Sequence, residues 1–272
     1  MQPEINILGI DIQTFGLAFA FAFLGCGLIA AKRFKELGKP ADWAYEAVFA
    51  AFVGGLIGAR IDYFIQNYDK VKGDILGNIF SGTGLVFIGG VVGGAIGVAI
   101  WGRWRKFFGA QLLDLAAPAI ALGYAIGRIG CQLSGDGDYG IPWDGPWAMA
   151  YPNGTVPTTV TVHPTPIYET LAIGLLAWWL FRMRNSFKPG LLMAFYLFFA
   201  GLERFLVEFI RINDEVLVGL TVPQVEGVVV MVIGAVWLAI VWRNGGWGRD
   251  ESDATDPRPP RGGRAVAAPT PS

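Results

Sequence analysis

The run Leu112-Leu-Asp-Leu-Ala-Ala-Pro-Ala-Ile-Ala-Leu-Gly-Tyr-Ala-Ile-Gly-Arg-Ile-Gly-Cys131 decides the fold class. Coiled as an α-helix it rises about 30 Å, the thickness of a bilayer's hydrocarbon core. It nevertheless contains Asp114 and Arg128, and such groups cost about 2.5–3.5 kcal/mol each at a membrane centre on insertion scales. A run of spanning length that keeps these charges reads as a membrane helix with a polar task. The whole chain agrees: 53% of its 272 residues are hydrophobic and only 16% are charged, whereas soluble domains carry about 25%.

Working outward with a window of about 19 residues, the spans are expected at 12–31, 43–65, 83–102, 112–131, 166–182, 190–208 and 222–242. The fifth is near the short limit for crossing. Lys32, Arg33, Lys35 and Lys39 follow the first, Arg103, Arg105 and Lys106 the third, Arg182, Arg184 and Lys188 the fifth, and Arg243 and Arg249 the seventh. These clusters fall on one side, and the positive-inside rule makes that side cytoplasmic. The other side carries Asp69, Asp136, Asp138, Asp144, Asp214 and Glu215, with Lys70 and Lys72 as exceptions.

The expected fold is therefore all-α and polytopic, with a seven-span domain over 1–244, the N-terminus outside and the C-terminus cytoplasmic. The Gly-, Pro- and Trp-rich segment 132–165 is long enough to form a small external head, and 245–272 reads as a disordered cytoplasmic tail. A net charge of −1 gives nucleic acid no electrostatic footprint. Cys26 and Cys131 lie too far apart in sequence for a disulfide framework or zinc motif, and His163 is the single histidine. No metal and no cofactor is expected. The N-terminus lacks a basic n-region, and its first apolar run is long enough to span, which argues against a cleaved signal peptide.

Glu46, Arg60, Asp62, Asp114, Arg128, Glu169, Glu203, Arg204, Glu208 and Arg211 fall within or beside the spans. Arg60, Arg128, Glu169, Arg204, Glu208 and Arg211 all lie toward the outer half, which predicts one cluster. Arg204 and Glu208 are four apart and share a helix face, with Arg211 three further on. They form either a salt-bridge network pinning the bundle or a cationic pocket for an anionic headgroup, a task that suits the planar, permanently charged guanidinium. Arg128 has no carboxylate within one helical turn in sequence, and Gly127 and Gly130 beside it allow close approach. The alternative there is a glycine packing seam with a snorkelling arginine. The stretch Gly127–Gly140 then dissolves into Gly135, Asp136, Gly137 and Asp138, and it lacks the spacing and closing Glu of an EF-hand. His163-Pro-Thr-Pro-Ile-Tyr-Glu169 enters the fifth span with Pro166 in its first turn and Thr165 as a possible cap. His163 is either a capping residue or a catalytic one, and Tyr168 sits where interfacial tyrosines are common.

In this order, Gly127-Arg-Ile-Gly130, the Gly/Asp loop, Pro146-Trp-Ala-Met149, His163-Pro-Thr-Pro-Ile-Tyr-Glu169 and Arg204-Phe-Leu-Val-Glu-Phe-Ile-Arg211 resemble the prolipoprotein diacylglyceryl transferases over roughly residues 10–242. Gly58-Ala-Arg-Ile61, Phe87-Ile-Gly-Gly90 and Gln224 also fit. The resemblance implies a bacterial plasma-membrane enzyme that moves the diacylglyceryl group of phosphatidylglycerol onto a prolipoprotein's lipobox cysteine, recognised with its signal peptide. It implies Arg128, Arg204 and His163 as catalytic residues. Around them it implies Arg60, Gly127, Gly130, Asp136, Gly140, Tyr168, Glu169, Glu208, Arg211 and Gln224 as substrate contacts. The chain departs from the family pattern at Cys131 (usually Asn), Ile88 (usually His), Phe15 and Ala200 (usually Tyr) and Asp136 (usually Glu). If a general base is needed, His163, Asp136 or Glu208 is left to serve. The competing readings are a related transferase with another acceptor, in which Cys131 could be a nucleophile, and a lipid-binding or transport protein. The absence of an internal repeat argues against the transporter.

Overall fold

The computed structural model describes residues 2–7, 9–71, 86–217 and 219–250, together with Arg258. Strands β1 (Glu4–Ile7) and β2 (Ile10–Gln13) form an antiparallel hairpin ahead of α1 (Thr14–Glu36). Next come α2 (Trp43–Gln66), a single turn at Tyr68–Val71, α3 (Phe87–Trp104) and α4 (Ala110–Ser134). A second hairpin pairs β3 (Met149–Tyr151) with β4 (Thr158–Val162). Then α5 (Thr165–Arg182) leads to α6 (Leu191–Val207), which tightens into a 3-10 turn at Glu208–Ile210. The third hairpin, β5 (Glu215–Leu217) with β6 (Leu220–Thr221), delivers the chain to α7 (Val222–Arg243).

Every expected span has its helix. By length and composition, α1, α2, α4 and α7 are able to cross a membrane, and α3 is a shorter apolar helix. The shortness expected of the fifth span extends to the sixth, since α5 has 18 residues and α6 has 17. The three hairpins are additions to the all-α expectation, and all lie at one end of the bundle. Residues 83–85 of the expected third span, Lys72, and the tail residues 251–257 and 259–272 lie outside the described residues. The first part of that tail folds back: Trp247 Nε1 donates to the Leu238 carbonyl at 2.9 Å, and an Arg258 N–H reaches the Phe187 carbonyl at 2.7 Å.

Burial runs opposite to that of a soluble protein. Phe19, Leu28, Phe49, Ile57, Ile96 and Ile233 point outward, while Ala44, Ala117, Ala121 and Ala194 are buried between helices. Lipid tails are as apolar as these side chains, so close van der Waals approach governs helix association instead. Between α2 and α3 the approach is backbone to backbone. A Cβ added at Gly58 would stand 2.2 Å from the Gly89 carbonyl oxygen, and one at Gly93 would stand 2.2 Å from that of Gly54.

Three of the charges noted in the spans serve helix ends or helix pairs. Asp114 accepts the Gly190 and Leu192 amides at 2.8 and 3.0 Å, satisfying the first orphan donors of α6. Asp62 accepts the Gly89 amide at 3.0 Å in the first turn of α3. Glu46 joins α2 to α3 by accepting from Trp101 Nε1 at 2.9 Å and pairing with Arg105. At the same end Glu36 pairs with Arg33 at 3.0 Å and Arg184 at 2.7 Å.

Overpacking a dense interface costs about 1–3 kcal/mol. The purified Gly93→Leu protein is therefore expected to unfold in detergent at a lower temperature than wild type. Gly16→Ala, whose added methyl would meet only a carbon 4.0 Å away, is the control expected to match wild type. Equal unfolding temperatures for all three would mean the α2–α3 contact does not hold the bundle.

Candidate functional site: an arginine–carboxylate cluster

Four segments meet at the hairpin end: the last turns of α4, the first turn of α5, the last turn of α6 with its 3-10 extension, and the loop after α4. Each brings charge. Glu169, in the first turns of α5, is fully buried and is the hub. Arg128 Nε stands 3.0 Å from its Oε2, Arg204 Nη1 3.3 Å from its Oε1, and Arg211 Nη1 3.7 Å from its Oε2. Tyr124, one turn before Arg128 on α4, donates its hydroxyl to Glu169 at 3.2 Å and accepts from Arg128 at 3.1 Å. The Arg128 guanidinium also lies over the Tyr124 ring, 5.0 Å from its centre.

Glu208 is the second buried acid. It pairs with Arg204 at 3.4 Å and Arg211 at 3.6 Å, and accepts from Thr221 at 3.0 Å and from Asn213. The third acid is Asp138, whose two oxygens take one arginine each: Arg128 on Oδ2 and Arg211 on Oδ1. Its carbonyl accepts from Thr165 Oγ1, which ties the loop to the start of α5. The loop's path is set by Gly135 and Gly137, at φ 59° and 94°, where side chains are disfavoured. Burial pushes the Asp138 carboxyl up, but the guanidiniums of Arg128 and Arg211 outweigh it and hold it below the usual carboxylate range.

Of the six residues predicted to cluster, the ion pairs join Arg128, Glu169, Arg204, Glu208 and Arg211, and Arg128 acquires acidic partners from other segments. Arg60 is on α2, its guanidinium 5.9 Å from the Tyr63 ring centre. Gly130 is a contact with α1, since an added Cβ would stand 2.8 Å from Ala18 Cβ, while at Gly127 it would meet nothing within 4 Å. At Gly140 it would stand 2.2 Å from the Ile210 carbonyl, so the loop passes directly against the segment bearing Arg211. Asp136 accepts the Asp138 amide at 3.3 Å in a local turn, and the place on the arginines belongs to Asp138. Gln224 closes a capping box with Thr221 at the start of α7.

His163 is a stacked residue: its ring lies 4.3 Å from that of Trp143 at 11°, and Nδ1 is 3.2 Å from the Tyr168 hydroxyl. Tyr168 also accepts from Trp147 Nε1 at 2.7 Å. Pro166 is in the first turn of α5 as expected, but Pro164 holds the cap position assigned to Thr165. At two of the departures from the family pattern, Ile88 and Phe15 are exposed to the outside of the bundle. Cys131 is buried, with its sulfur 3.8 Å from Arg128 Nη1. Cys131, Asp136 and Asp138 hold ligand atoms within 4.8 Å of one another. A cation there would have to face Arg128 and Arg211 across Asp138.

Tyr124, Asp138, Asn213 and Thr221 were not among the predicted site residues. Tyr124 carried a readable signal, since it lies four residues before Arg128 on one face. Beside the cluster an apolar groove of about 860 Å³ opens between α5 and α6, lined by Tyr168, Trp178, Phe199, Glu203, Leu206 and Ile210 among others.

A helical bundle with outward apolar faces and a cluster of partly buried arginines and acids at one end defines a polytopic membrane protein. Residues 3–240 match the family described as prolipoprotein diacylglyceryl transferase, and the chain belongs to that family. It is 31% identical over 216 residues to the phosphatidylglycerol--prolipoprotein diacylglyceryl transferase of Clostridium tetani (strain Massachusetts / E88), over 78% of this chain and 86% of that one. To the enzyme of that name from Dehalococcoides mccartyi (strain ATCC BAA-2100 / JCM 16839 / KCTC 5957 / BAV1) it is 31% identical over 240 residues, 84% of this chain and 88% of that one.

Removing one partner of a buried ion pair costs about 3–5 kcal/mol, whereas a hydrogen bond between a hydroxyl and a charged group is worth about 1.5–3 kcal/mol. Glu169→Gln should thus lower the unfolding temperature beyond Tyr124→Phe; equal effects would remove Glu169 from its place as hub.

Asp138 adds a pH signature. Its folded value lies below the unfolded one of about 3.9, so its stabilisation is complete above that pH and is lost as pH falls through the folded value. The gap in unfolding temperature between wild type and Asp138→Asn is expected to be constant down to about pH 5 and to shrink below about pH 4. A gap that widens on acidification contradicts this assignment.

Proposed function

We propose that this protein transfers the diacylglyceryl group of phosphatidylglycerol to the lipobox cysteine of a prolipoprotein at the outer face of a bacterial plasma membrane. The observation that carries the reading is the seat formed by Arg128 and Arg211, two guanidiniums directed at one anion beside a groove that opens to lipid. A phosphodiester would take that seat, with its acyl chains in the groove between α5 and α6. The family membership and the names of the relatives support the choice of lipid and acceptor. Basic loops at the opposite end support an outward-facing site on seven spans, with the N-terminus outside and the C-terminus in the cytoplasm.

In the reaction the acceptor sulfur attacks a glyceryl carbon, a thioether bond forms, and the bond from that carbon to the phosphate oxygen breaks. Glycerol phosphate leaves with the bonding pair, and its charge grows as the bond breaks. Arg128 and Arg204 are assigned to hold that charge, since donors fixed before reaction need no reorganisation. Arg211 orients the headgroup, and Glu169 and Tyr124 fix the fork of Arg128. The thiol must lose its proton. Glu208 is the least suited to take it, because it is buried, with Thr221 and Asn213 donating to Oε1 and Arg204 and Arg211 facing Oε2. His163 and Asp136 remain as acceptors. Arg60, Gly127, Gly130, Gly140, Tyr168 and Gln224 shape the walls and helix ends around the substrates.

The test is a transfer assay in vesicles of phosphatidylglycerol with a lipobox peptide, reading both the peptide's mass gain and glycerol phosphate release. Wild type should yield the two products in equal amounts. Arg128→Lys, which keeps the charge but loses the fork, should slow transfer by about 100-fold. A properly folded wild type that produces neither product would sink the proposal.

A further inference from the structure

We propose that Asp138 is an internal occupant of the anion seat, displaced when the phosphodiester of an anionic phospholipid binds to Arg128 and Arg211. The inference rests on the reading of Arg128 as a headgroup arginine. Its geometry is that of a stand-in: two oxygens sharing one negative charge, each facing a different guanidinium. A phosphodiester offers the same pattern in its two non-bridging oxygens, also with one charge, so exchange leaves the net charge of the cluster unchanged.

Arg211 supplies an independent observation. Its side chain is only 9% exposed, yet Nε and Nη1 are buried without a hydrogen-bond partner. Their nearest acids, Oε2 of Glu208 and Oε2 of Glu169, stand 3.6 and 3.7 Å away, too far for hydrogen bonds. Buried donors of this kind are costly to leave unmade. Asp138, held by the short loop, uses Nη2 alone. An incoming group with more oxygens and free placement could satisfy the remainder. The loop is also built to let go: Asp138 is the least buried acid of the three, with 30% of its side chain exposed, and it follows Gly137 at φ 94°.

An occupied seat lowers apparent affinity by the fraction of molecules that must first be emptied. In full-length protein in neutral detergent, phosphatidylglycerol in mixed micelles is titrated and binding followed by tryptophan fluorescence. Asp138→Asn should bind it about tenfold more tightly than wild type. Asp144→Asn removes a charge from the same region, but its carboxylate accepts from Thr161 instead of an arginine, and its affinity should stay at the wild-type value. Gly137→Ala keeps every ion-pair partner while straining the loop that delivers Asp138, and it should also tighten binding, which covers the case in which Asp138→Asn fails to fold. Failure of both Gly137→Ala and folded Asp138→Asn to tighten binding overturns the displacement, as does equal tightening in Asp144→Asn. Tightening toward inorganic phosphate but not phosphatidylglycerol also overturns it, because the seat would then serve a soluble anion. If Arg128→Lys binds phosphatidylglycerol as wild type does, the reading of Arg128 itself fails; loss of binding there without tightening in the other variants removes the displacement alone.

Discussion

An ionised group taken out of water must find an opposite charge or raise the energy of the fold by several kcal/mol. Glu169 carries that constraint for this protein. It is fully buried, and three arginines from two helices and a following segment turn toward it. Their convergence fixes how the ends of α4, α5 and α6 sit together. The small residues of the bundle, Ala117, Ala121 and Ala194 among them, let these helices approach closely enough for the side chains to reach.

The two ends of the bundle handle charge differently. At the basic end, Glu36, Asp114 and Glu46 are each satisfied by fixed partners: guanidiniums, an indole N–H or backbone amides. At the hairpin end, three arginines share three acids, and some donors and acceptors remain unsatisfied. The first arrangement stabilises one structure. The second leaves Nε and Nη1 of Arg211, and Oε2 of both Glu169 and Glu208, without a hydrogen bond. The salt-bridge reading and the headgroup reading are therefore compatible: the acids hold the arginines in position, and the arginines keep donors in reserve.

Apolar length alone made the seven helices legible, because lipid demands it over long windows. The Arg204–Glu208 pair was legible from helical spacing. Asp138 was not, because its partner Arg211 lies 73 residues away, and the loop's path depends on glycine conformations and on backbone pairing with Arg211. The role of Asp114 was hidden for a related reason: spacing shows a buried charge but cannot show that an amide 76 residues on awaits it. Gln224 is a different case. Thr221-Val-Pro-Gln224 carries the capping-box spacing in the open, and the family resemblance drew attention to a substrate role instead. The hairpins escaped because their strands are only two to five residues long.

Where the opposite charges sit along the chain bears on how it is made. Arg128 and Glu169 lie on α4 and α5, which follow one another and pack together, and they pair directly. Arg204 and Glu208 lie one helical turn apart on a single segment. Arg128 and Arg204 therefore each meet a carboxylate on the same segment or on the helix that follows. A nascent chain need not wait for a distant helix before its arginines can be lodged in lipid. Among the six cluster residues, the α4–α5 portion is left with one surplus acid and the α6 portion with one surplus arginine, and the later meeting of Asp138 with Arg211 cancels the remainder.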